Sequence, residues 1–545
     1  MSLAIVGLTI ATGGCKPSLE EAHVPETTAA GETVLRKGNG AEPQTLDPHR
    51  AQGIPEANIL RDLYEGLVSE APDGRLVAGV ARRWKISDGG RAYTFYLREN
   101  ARWSNGVPLT AGDFAYSLRR CVDPATGSSY AAILLPIKNA NAIINGRRPP
   151  QTLGVEALDP HTLKISLKAP TPYFLGLLTH TTTYPVYRPA VEQHGAQFTQ
   201  PDYSVSNGAY VLADWVVASH VTLRRNRDYW DNALTRIDIV KYFGIDDQEA
   251  ELRRYRAGEL DWTSTVPLGQ MDWVRETLPG EYRASPYLGT YYYGLNVTRA
   301  PFEYKPALRK ALSLAIDRRL LVEKVTRGGE VAAYGWVPPG INDYTGQRFA
   351  YANWPRAKQI EEAKRLYTRA GYSRAKPLSI EIRYNTSDAH QTIATVIASQ
   401  WRSTLGVQTT LINEEWKVFL QNVQARRLTE AYRASWIGDY NDANTFAELM
   451  HSRFGLNGTG YSSAAYDRLV RQAAVEANQH RRRELLQRAE RILLADHPLI
   501  PIYFYVSKRM LKPYVQGYQN NIMDHHYTKN LYLELGRRKG TDARD

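Results

Sequence analysis

The chain has 545 residues, more than one compact core can bury, so two or three domains or lobes are expected. Hydrophobic residues make up 43% and charged residues 23%, a balance that argues against a disordered chain and against a multi-span membrane protein. The formal net charge is +12, but the basic residues are scattered as pairs such as Arg82-Arg83, so no nucleic-acid partner is expected.

The first fifteen residues resemble a bacterial lipoprotein signal. An apolar stretch over residues 3–11 is followed by small residues and then by Cys15. The stretch is well short of the ~20 residues of a membrane-spanning helix, so a removed signal with lipid attached at Cys15 is expected. The match is imperfect, because no positive charge precedes the stretch and Thr12 stands where leucine is commoner. Residues 16–32 then form a polar tether.

Beyond residue 33, strand-like and helix-like patterns alternate without repeats, low-complexity blocks or long linkers. Strict alternation of apolar residues predicts half-buried strands, and spacings of three and four predict amphipathic helices. In chain order the patterns predict a strand over 163–167, a helix over 306–320, a helix over 357–370, a strand over 378–384, a helix over 483–495 and a buried strand over 499–506. Glu361 and Arg365 have the i, i+4 spacing of an ion pair. The predicted class is mixed α/β, with a chain that crosses between lobes several times.

Catalytic and metal-binding motifs are absent from the sequence. It has no G-x-S-x-G nucleophile elbow, H-E-x-x-H zinc pair, phosphate-binding loop or paired C-x-x-C. The S-x-x-K match at Ser373 lacks a K-T-G partner, and residues 524–526 (Asp-His-His) are expected to form a surface turn instead of a metal site. Cys121 has no partner and is expected to be a small buried hydrophobe. We therefore expect no enzyme activity, no cofactor and no metal.

Residues 81–123 carry a long pattern that resembles the extracellular solute-binding proteins of peptide transporters, family 5. Its elements are Trp, Asp-Gly, Tyr-Thr-Phe-x-Leu-Arg, Trp-x-x-Gly and Thr-Ala-x-Asp-Phe, in this order. Further stretches are similar to the oligopeptide-binding members of the family; they include 45–67, 206–217, 286–293, 384–390, 414–420 and 435–442. Together they span the chain from about 34 to 535.

This resemblance implies a two-lobed periplasmic-binding-protein fold, class II-like, with an additional third domain and a hinge between the lobes. Domain I would comprise 33–64, 190–289 and 507–539, domain II would comprise 65–189, and domain III, the second lobe, would comprise 290–506. Family members close around an extended peptide and deliver it to an inner-membrane ABC permease with its ATPase. A monomer in the periplasm or cell envelope, held at the membrane only by a lipid anchor, is therefore expected.

The resemblance also implies a set of charged ligand anchors. Asp439 matches a carboxylate that holds the ligand's ammonium through a charge-assisted hydrogen bond. Arg433 matches an arginine that binds the ligand's carboxylate. His390 matches a position near the carboxylate of longer ligands. The competing interpretations are a turn aspartate, a structural ion pair and an ordinary polar histidine, respectively.

Between the anchors, the resemblance implies that the ligand adds a strand to the protein backbone. The strand-pairing positions are Ser435 and Ile437 on one lobe and Gln52 and Ile54 on the other. Six aromatic residues match positions that line side-chain pockets, and two of the six are expected to be ordinary core: Trp416, Trp436, Tyr130, Tyr287, Tyr292 and Tyr505.

Several positions depart from the family pattern. Gly289 and Ile437 replace a cysteine pair at the cleft floor, Gly294 replaces an acidic pocket residue, and Thr326 replaces a pocket lysine. Val423 replaces an arginine, for which Arg426 or Arg427 could substitute. These changes affect the expected ligand length and side-chain preference and leave the ammonium and backbone contacts in place.

Three alternatives to an oligopeptide receptor remain open. A receptor for murein or other modified peptides would carry an additional uncompensated cation in its pocket. An envelope peptidase would release new amines from peptides. A basic adhesin or nucleic-acid binder would lose affinity steeply with salt.

Overall fold

The structure is a computed structural model that describes residues 25–341, 344–426 and 429–534, apart from the side chains of residues 416 and 417. Cys15, the predicted signal, most of the predicted tether and Arg427 lie outside the described residues. The strands of the described chain are β1 Glu26–Thr27, β2 Thr33–Gly38, β3 Val68–Glu70, β4 Leu76–Ala78, β5 Ala81–Ser87, β6 Ala92–Leu97, β7 Val155–Asp159, β8 Thr162–Ser166, β9 Tyr210–Val216, β10 His220–Arg225, β11 Ile239–Phe243, β12 Tyr282–Leu295, β13 Val331–Ala332, β14 Ser379–Asn385, β15 Gln408–Glu414, β16 Ala431–Ile437, β17 Leu499–Met510, β18 Val515–Gln516 and β19 Tyr532–Leu533.

Helices alternate with these strands, which confirms the predicted mixed α/β class. They are α1 Ile54–Leu63, α2 Ala111–Val122, α3 Ala140–Ile144, α4 Phe174–Leu177, α5 Arg188–His194, α6 Gln248–Arg256, α7 Met271–Thr277, α8 Pro306–Ala315, α9 Arg318–Leu320, α10 Arg356–Arg369, α11 Asp388–Leu405, α12 Trp416–Ala425, α13 Asn444–Leu449, α14 Ala464–Val475 and α15 Gln479–Asp496. No helix in the described part of the chain is long and apolar enough to span a bilayer.

The first lobe contains two larger sheets and two two-stranded sheets, β3-β4 and β18-β19. A five-stranded sheet has the order β1-β2-β11-β10-β9, in which only β2 and β11 pair in parallel. An antiparallel four-stranded sheet has the order β5-β6-β8-β7 and is covered by α2. Helix α2 begins at a capping box in which Thr110 and Asp113 satisfy each other's backbone N–H groups. Its buried face includes Phe114, Leu118 and Cys121, so the prediction of a buried Cys121 is confirmed.

The second lobe is built on a six-stranded mixed sheet with the order β13-β17-β12-β16-β14-β15. Helices α8, α10 and α11 pack together beside it. Its apolar core lies entirely within residues 288–523, whereas the main core of the first lobe combines residues from 35 to 262 with Tyr440, Leu511, Val515 and Leu531. Two separate cores connected by few strands are what a two-lobed fold requires, and this prediction is confirmed.

Strands β12 and β17 run across the predicted domain boundaries at 289/290 and 506/507. They pair with each other along most of their length, but the register shifts between Pro286 and Thr290. A register shift of this kind bends and twists a strand pair. The predicted domain limits themselves stay a prediction.

The long periodic segments are predicted correctly, whereas some local details are wrong. Helix α8 ends at Ala315 because Ile316 adopts extended backbone, so Leu320 is not part of its buried face. Arg365 pairs with Glu362 instead of Glu361, at i, i+3 spacing. Residues 524–526 are not a surface turn: these side chains are largely buried and bonded to Arg509 and Glu70, because β17 and the first lobe enclose them.

Candidate functional site

The predicted anchors cluster at strand β16 and the turn that follows it. Arg433 lies within β16, and Ser435, Trp436 and Ile437 form its last residues. Asp439 follows two residues later. Every residue of β16 pairs with β12. This strand pair fixes the position of Arg433, and Asp439 lies just beyond its end.

Asp439 is a largely buried carboxylate without a cation. Its backbone N–H donates to Thr445 Oγ1 at 3.4 Å, and no donor in the described chain contacts its carboxylate. Burial, together with the negative charge of Glu448, raises the pKa of Asp439 to about 7. A positively charged ligand group could therefore pair with the Asp439 carboxylate, which no cation of the described chain neutralises.

Residues of the opposite lobe approach this carboxylate. Burial, followed by the charge of Asp439, raises the pKa of Tyr130, which lies in the first lobe. The Tyr130 ring is 4.9 Å from the ring of His180, whose pKa burial lowers to about 3. A phenol, backed by a neutral histidine, thus lies on the first-lobe side of Asp439, and neither side chain carries a charge that would pair with this carboxylate.

Arg433 is the counterpart of Asp439, a buried cation without an anion. The side chain donates to Asn385 Oδ1 and to the hydroxyl of Tyr505, both at 3.2 Å, and its guanidinium lies 4.8 Å from the centre of the Tyr291 ring. Its Nε has no partner, and it forms no ion pair among the residues that the structure describes. Such a guanidinium can bind a carboxylate by donating hydrogen bonds from two of its nitrogens.

His390 lies near Arg433, and both contact Tyr291. Its Nδ1 is 3.4 Å from the Tyr291 hydroxyl, and burial followed by the charge of Arg433 lowers its pKa to about 2. The imidazole is therefore neutral and can offer one hydrogen bond to a carboxylate that Arg433 holds.

The predicted strand-pairing positions lie on both lobes. Ser435 and Ile437 are partly exposed, and β16 pairs there only with β12. On the first lobe, Gln52 donates to Ser129 Oγ at 2.8 Å, and Ile54 is 56% exposed at the start of α1. These four residues are thus at least partly exposed on both lobes.

The predicted aromatic residues divide into cleft and core. Tyr287 and Tyr505 line a cavity of about 270 Å³, and their rings meet edge to face. Trp436 donates through its indole N–H to Thr445, next to Asp439. Tyr292 is core, because its ring packs edge to face on Trp336. The side chain of Trp416 lies outside the described residues.

Three residues of the site were missed at the level of sequence. Tyr291 contacts both Arg433 and His390. Glu448 is buried beside Asp439, and Tyr173 of the first lobe donates to it at 3.4 Å. The Tyr173 ring also stacks on Tyr440 with centroids 5.2 Å apart and planes 6° from parallel, so the two lobes are in direct contact.

The departures from the family pattern have structural counterparts. Gly289 and Ile437 face each other across β12 and β16, and the Ile437 side chain fills the space of a Cβ on Gly289. The Tyr432 ring occupies the space above Gly294 in the same way. Val423 belongs to a small apolar cluster with Phe419 and Tyr432, and the charge of Arg426, a named candidate to replace the family's arginine, acts on Tyr432.

The position of the missing pocket lysine has a different replacement. Thr326 donates to Glu330 at 2.7 Å, and Glu330 forms an ion pair with Lys508 of β17. A cation is thus present near Thr326, but a carboxylate of the protein already neutralises it.

A sequence model of the bacterial extracellular solute-binding proteins, family 5, matches residues 75–457. The chain belongs to this family. Among family 5 relatives, the periplasmic oligopeptide-binding protein OppA of Salmonella typhimurium is 42% identical over 508 residues, which cover 92% of this chain and 93% of OppA. The structure of Haemophilus influenzae OppA in complex with the peptide RPPGFSPFR matches with a TM-score of 0.83 at 37% identity, over 92% of this chain and 99% of that chain.

Structures of the Escherichia coli murein tripeptide-binding protein MppA provide a comparison of lobe positions. One matches with a TM-score of 0.85 at 40% identity over 92% of this chain and 98% of that chain. The unliganded open form of MppA gives a TM-score of 0.76 at 39% identity, over 94% of this chain and 98% of that chain. Together with the stacking of Tyr173 on Tyr440, the lower score indicates that the lobes of this family 5 protein are closed.

Proposed function

We propose that the protein binds short peptides between its lobes, with Asp439 holding the ammonium and Arg433 the carboxylate. The observation that carries this proposal is the pair of buried, opposite charges that lack counter-charges among the described residues. Leaving either charge buried and unpaired is costly, so a ligand with one positive and one negative end stabilises both. A peptide is such a ligand.

The geometry supports a limited ligand length. Arg433 and Asp439 are six positions apart in the chain, which corresponds to at most about 22 Å of extended backbone. An extended peptide of up to about six residues spans this distance. Ser435 and Ile437 on one lobe, with Gln52 and Ile54 on the other, would pair with its backbone, and Trp416, Trp436, Tyr130, Tyr287 and Tyr505 would line its side-chain pockets.

The family and its relatives support a role in transport. The protein would act in the periplasm as the substrate-binding component of an ABC-type peptide transporter and pass its ligand to a permease. We further propose a monomer anchored by lipid at Cys15 that binds peptides without hydrolysing them and without a cofactor. Incubation with mixed peptides should therefore produce no new free amines.

Native mass spectrometry of protein purified from cells tests the central proposal. Denaturation should release a mixture of peptides of about two to six residues. Asp439→Asn should emerge empty, whereas Asp202→Asn, which removes an exposed carboxylate of the first lobe, should retain the mixture. Wild-type protein that is empty and fails to bind added peptides would refute the proposal.

A murein-peptide receptor is the second candidate, favoured by the structural similarity to MppA. The same experiment separates the two candidates. A homogeneous murein fragment in place of a mixture would establish the second.

A further inference from the structure

A separate cavity of about 220 Å³ lies inside the first lobe, beside the predicted ligand cleft. Lys37 of β2, Trp262, Arg509 of β17 and Asp524 contribute to its wall. Ile54, the exposed first residue of α1 and a predicted ligand-pairing position, lines it too. The cavity therefore adjoins the cleft without containing Asp439 or Arg433.

Lys37 is a buried ammonium without an anion. The residue is 4% exposed, and its Nζ donates to the Tyr242 hydroxyl at 3.2 Å and more weakly to Thr528 Oγ1 at 3.5 Å. No carboxylate in the described chain forms an ion pair with it. The nearby Asp62 accepts from Tyr242 at 2.7 Å and from the Thr528 backbone N–H at 2.8 Å, and its charge acts on Lys37 without direct contact. Burial nevertheless lowers the pKa of Lys37 to about 8, so the attraction of Asp62 does not offset the cost of burying the ammonium.

The remaining charges of the cavity also leave an excess of positive charge. Arg509 pairs with Asp524, and its Nε has no hydrogen-bond partner. Both cations lie over one indole, with Lys37 Nζ 5.0 Å and the Arg509 guanidinium carbon 4.6 Å from the Trp262 ring. His526, which also lines the cavity, is neutral because burial lowers its pKa to about 4. Among the side chains that line the cavity, two cations thus face one carboxylate; behind this wall, Glu251 accepts from Ser264 and interacts with the charge of Arg509.

We propose that this cavity binds a carboxylate group, with Lys37 as its counter-charge. Its volume equals that of roughly seven waters, enough for acetate or for the end of a glutamate side chain and too small for a second peptide. The carboxylate belongs either to a small free anion or to an acidic side chain of a peptide in the cleft. The second source rests on the proposed function; the first does not.

Titration of peptide-free wild-type protein with sodium acetate, followed by calorimetry, tests the site. Saturable binding is expected, weakened at least tenfold in Lys37→Met and unchanged in Lys241→Met. Lys241 is the matched control, because it precedes Tyr242 on β11 and so points to the opposite face of the same sheet. Absence of saturable binding to the wild type, or equal binding to Lys37→Met, overturns the proposal.

Two further measurements keep the test decisive if Lys37→Met fails to fold. Lys37→Arg retains the charge and should retain acetate binding. A crystal structure of wild-type protein grown in acetate should show the anion within hydrogen-bonding distance of Lys37 Nζ. A cavity that holds only water under these conditions contradicts the proposal.

Paired peptides identify the source of the carboxylate. If it is a ligand side chain, Ala-Glu-Ala binds the wild type about tenfold more tightly than Ala-Gln-Ala, and the preference disappears in Lys37→Met. Equal affinities for both peptides, with acetate binding still dependent on Lys37, assign the site to a free anion. Binding of acetate without binding of either peptide would refute the proposed function and leave this site standing.

Discussion

Peptide affinity should fall as the pH is lowered from 7 to 5, because Asp439 must be ionised to hold an ammonium. Its pKa is about 7 in the peptide-free protein, and a bound cation lowers such a pKa by roughly 1 to 3 units. Affinity is therefore complete above the pKa of the free protein and is lost as the pH falls below it. Half of the Asp439 carboxyls of the free protein are ionised at pH 7 and about 1% at pH 5. The expected loss of affinity is therefore about 5-fold if the ligand lowers the pKa by one unit, and it approaches about 50-fold if the ligand lowers it by three units.

Calorimetry with a neutral tripeptide at pH 5, 6 and 7 measures this loss, and the ligand's α-ammonium stays largely protonated over this range. Binding near pH 6 should release about 0.4 to 0.9 proton, which titrations in buffers of different ionisation enthalpy measure. Glu448→Gln removes the neighbouring charge and should shift the whole profile to lower pH. Affinity that is independent of pH, or that rises toward pH 5, would refute the assignment of the ammonium to Asp439.

Three other variants test the charges and the lobe contact. Arg433→Gln should weaken peptides with a free carboxylate about 10- to 100-fold and leave C-terminally amidated peptides unchanged in calorimetry, since it removes a charged hydrogen-bond donor. Tyr173→Ala should weaken the binding of all peptides about tenfold and increase the radius of gyration of the peptide-free protein in small-angle scattering, because the stack on Tyr440 is lost. Tyr203→Ala is the control, because it removes a stacked tyrosine that contacts His194 within the first lobe. Asp439→Asn should raise the free energy of unfolding of the peptide-free protein at pH 8 by roughly 2 to 4 kcal/mol. The reason is that a carboxyl whose pKa is raised on folding destabilises the fold at a pH where it is ionised, and asparagine carries no charge. Chemical denaturation that shows no gain in stability would contradict this.

Much of the fold is predictable from the sequence because its periodic segments are long. Strand β14 and helix α10 lie within one or two residues of their predicted positions. Helix α8 ends earlier than predicted, since the apolar spacing continues through Ile316 although the backbone there is extended. Periodicity records which side chains are buried, and it does not record where the backbone hydrogen bonds stop.

The candidate site is only partly predictable, for a related reason. Asp439 lies within the matched stretch 435–442 and Arg433 lies two residues before it, so a local pattern identifies both. Glu448 and Tyr173 are 275 residues apart in the chain and meet only when the lobes close. Tyr291 and Tyr292 are neighbours on one strand, and the register of β12, which local sequence does not specify, decides which of them faces Arg433.

The Tyr432 ring above Gly294 constrains how the binding preference of this protein can evolve. Any side chain at position 294 would collide with the ring, so an acidic residue introduced there by a single mutation would first damage the fold. A smaller residue at position 432 must come first, and that change alone leaves a cavity beside Phe419 and Val423. The two sites are therefore epistatic: the order of the mutations determines whether a charged pocket can be reached through stable intermediates.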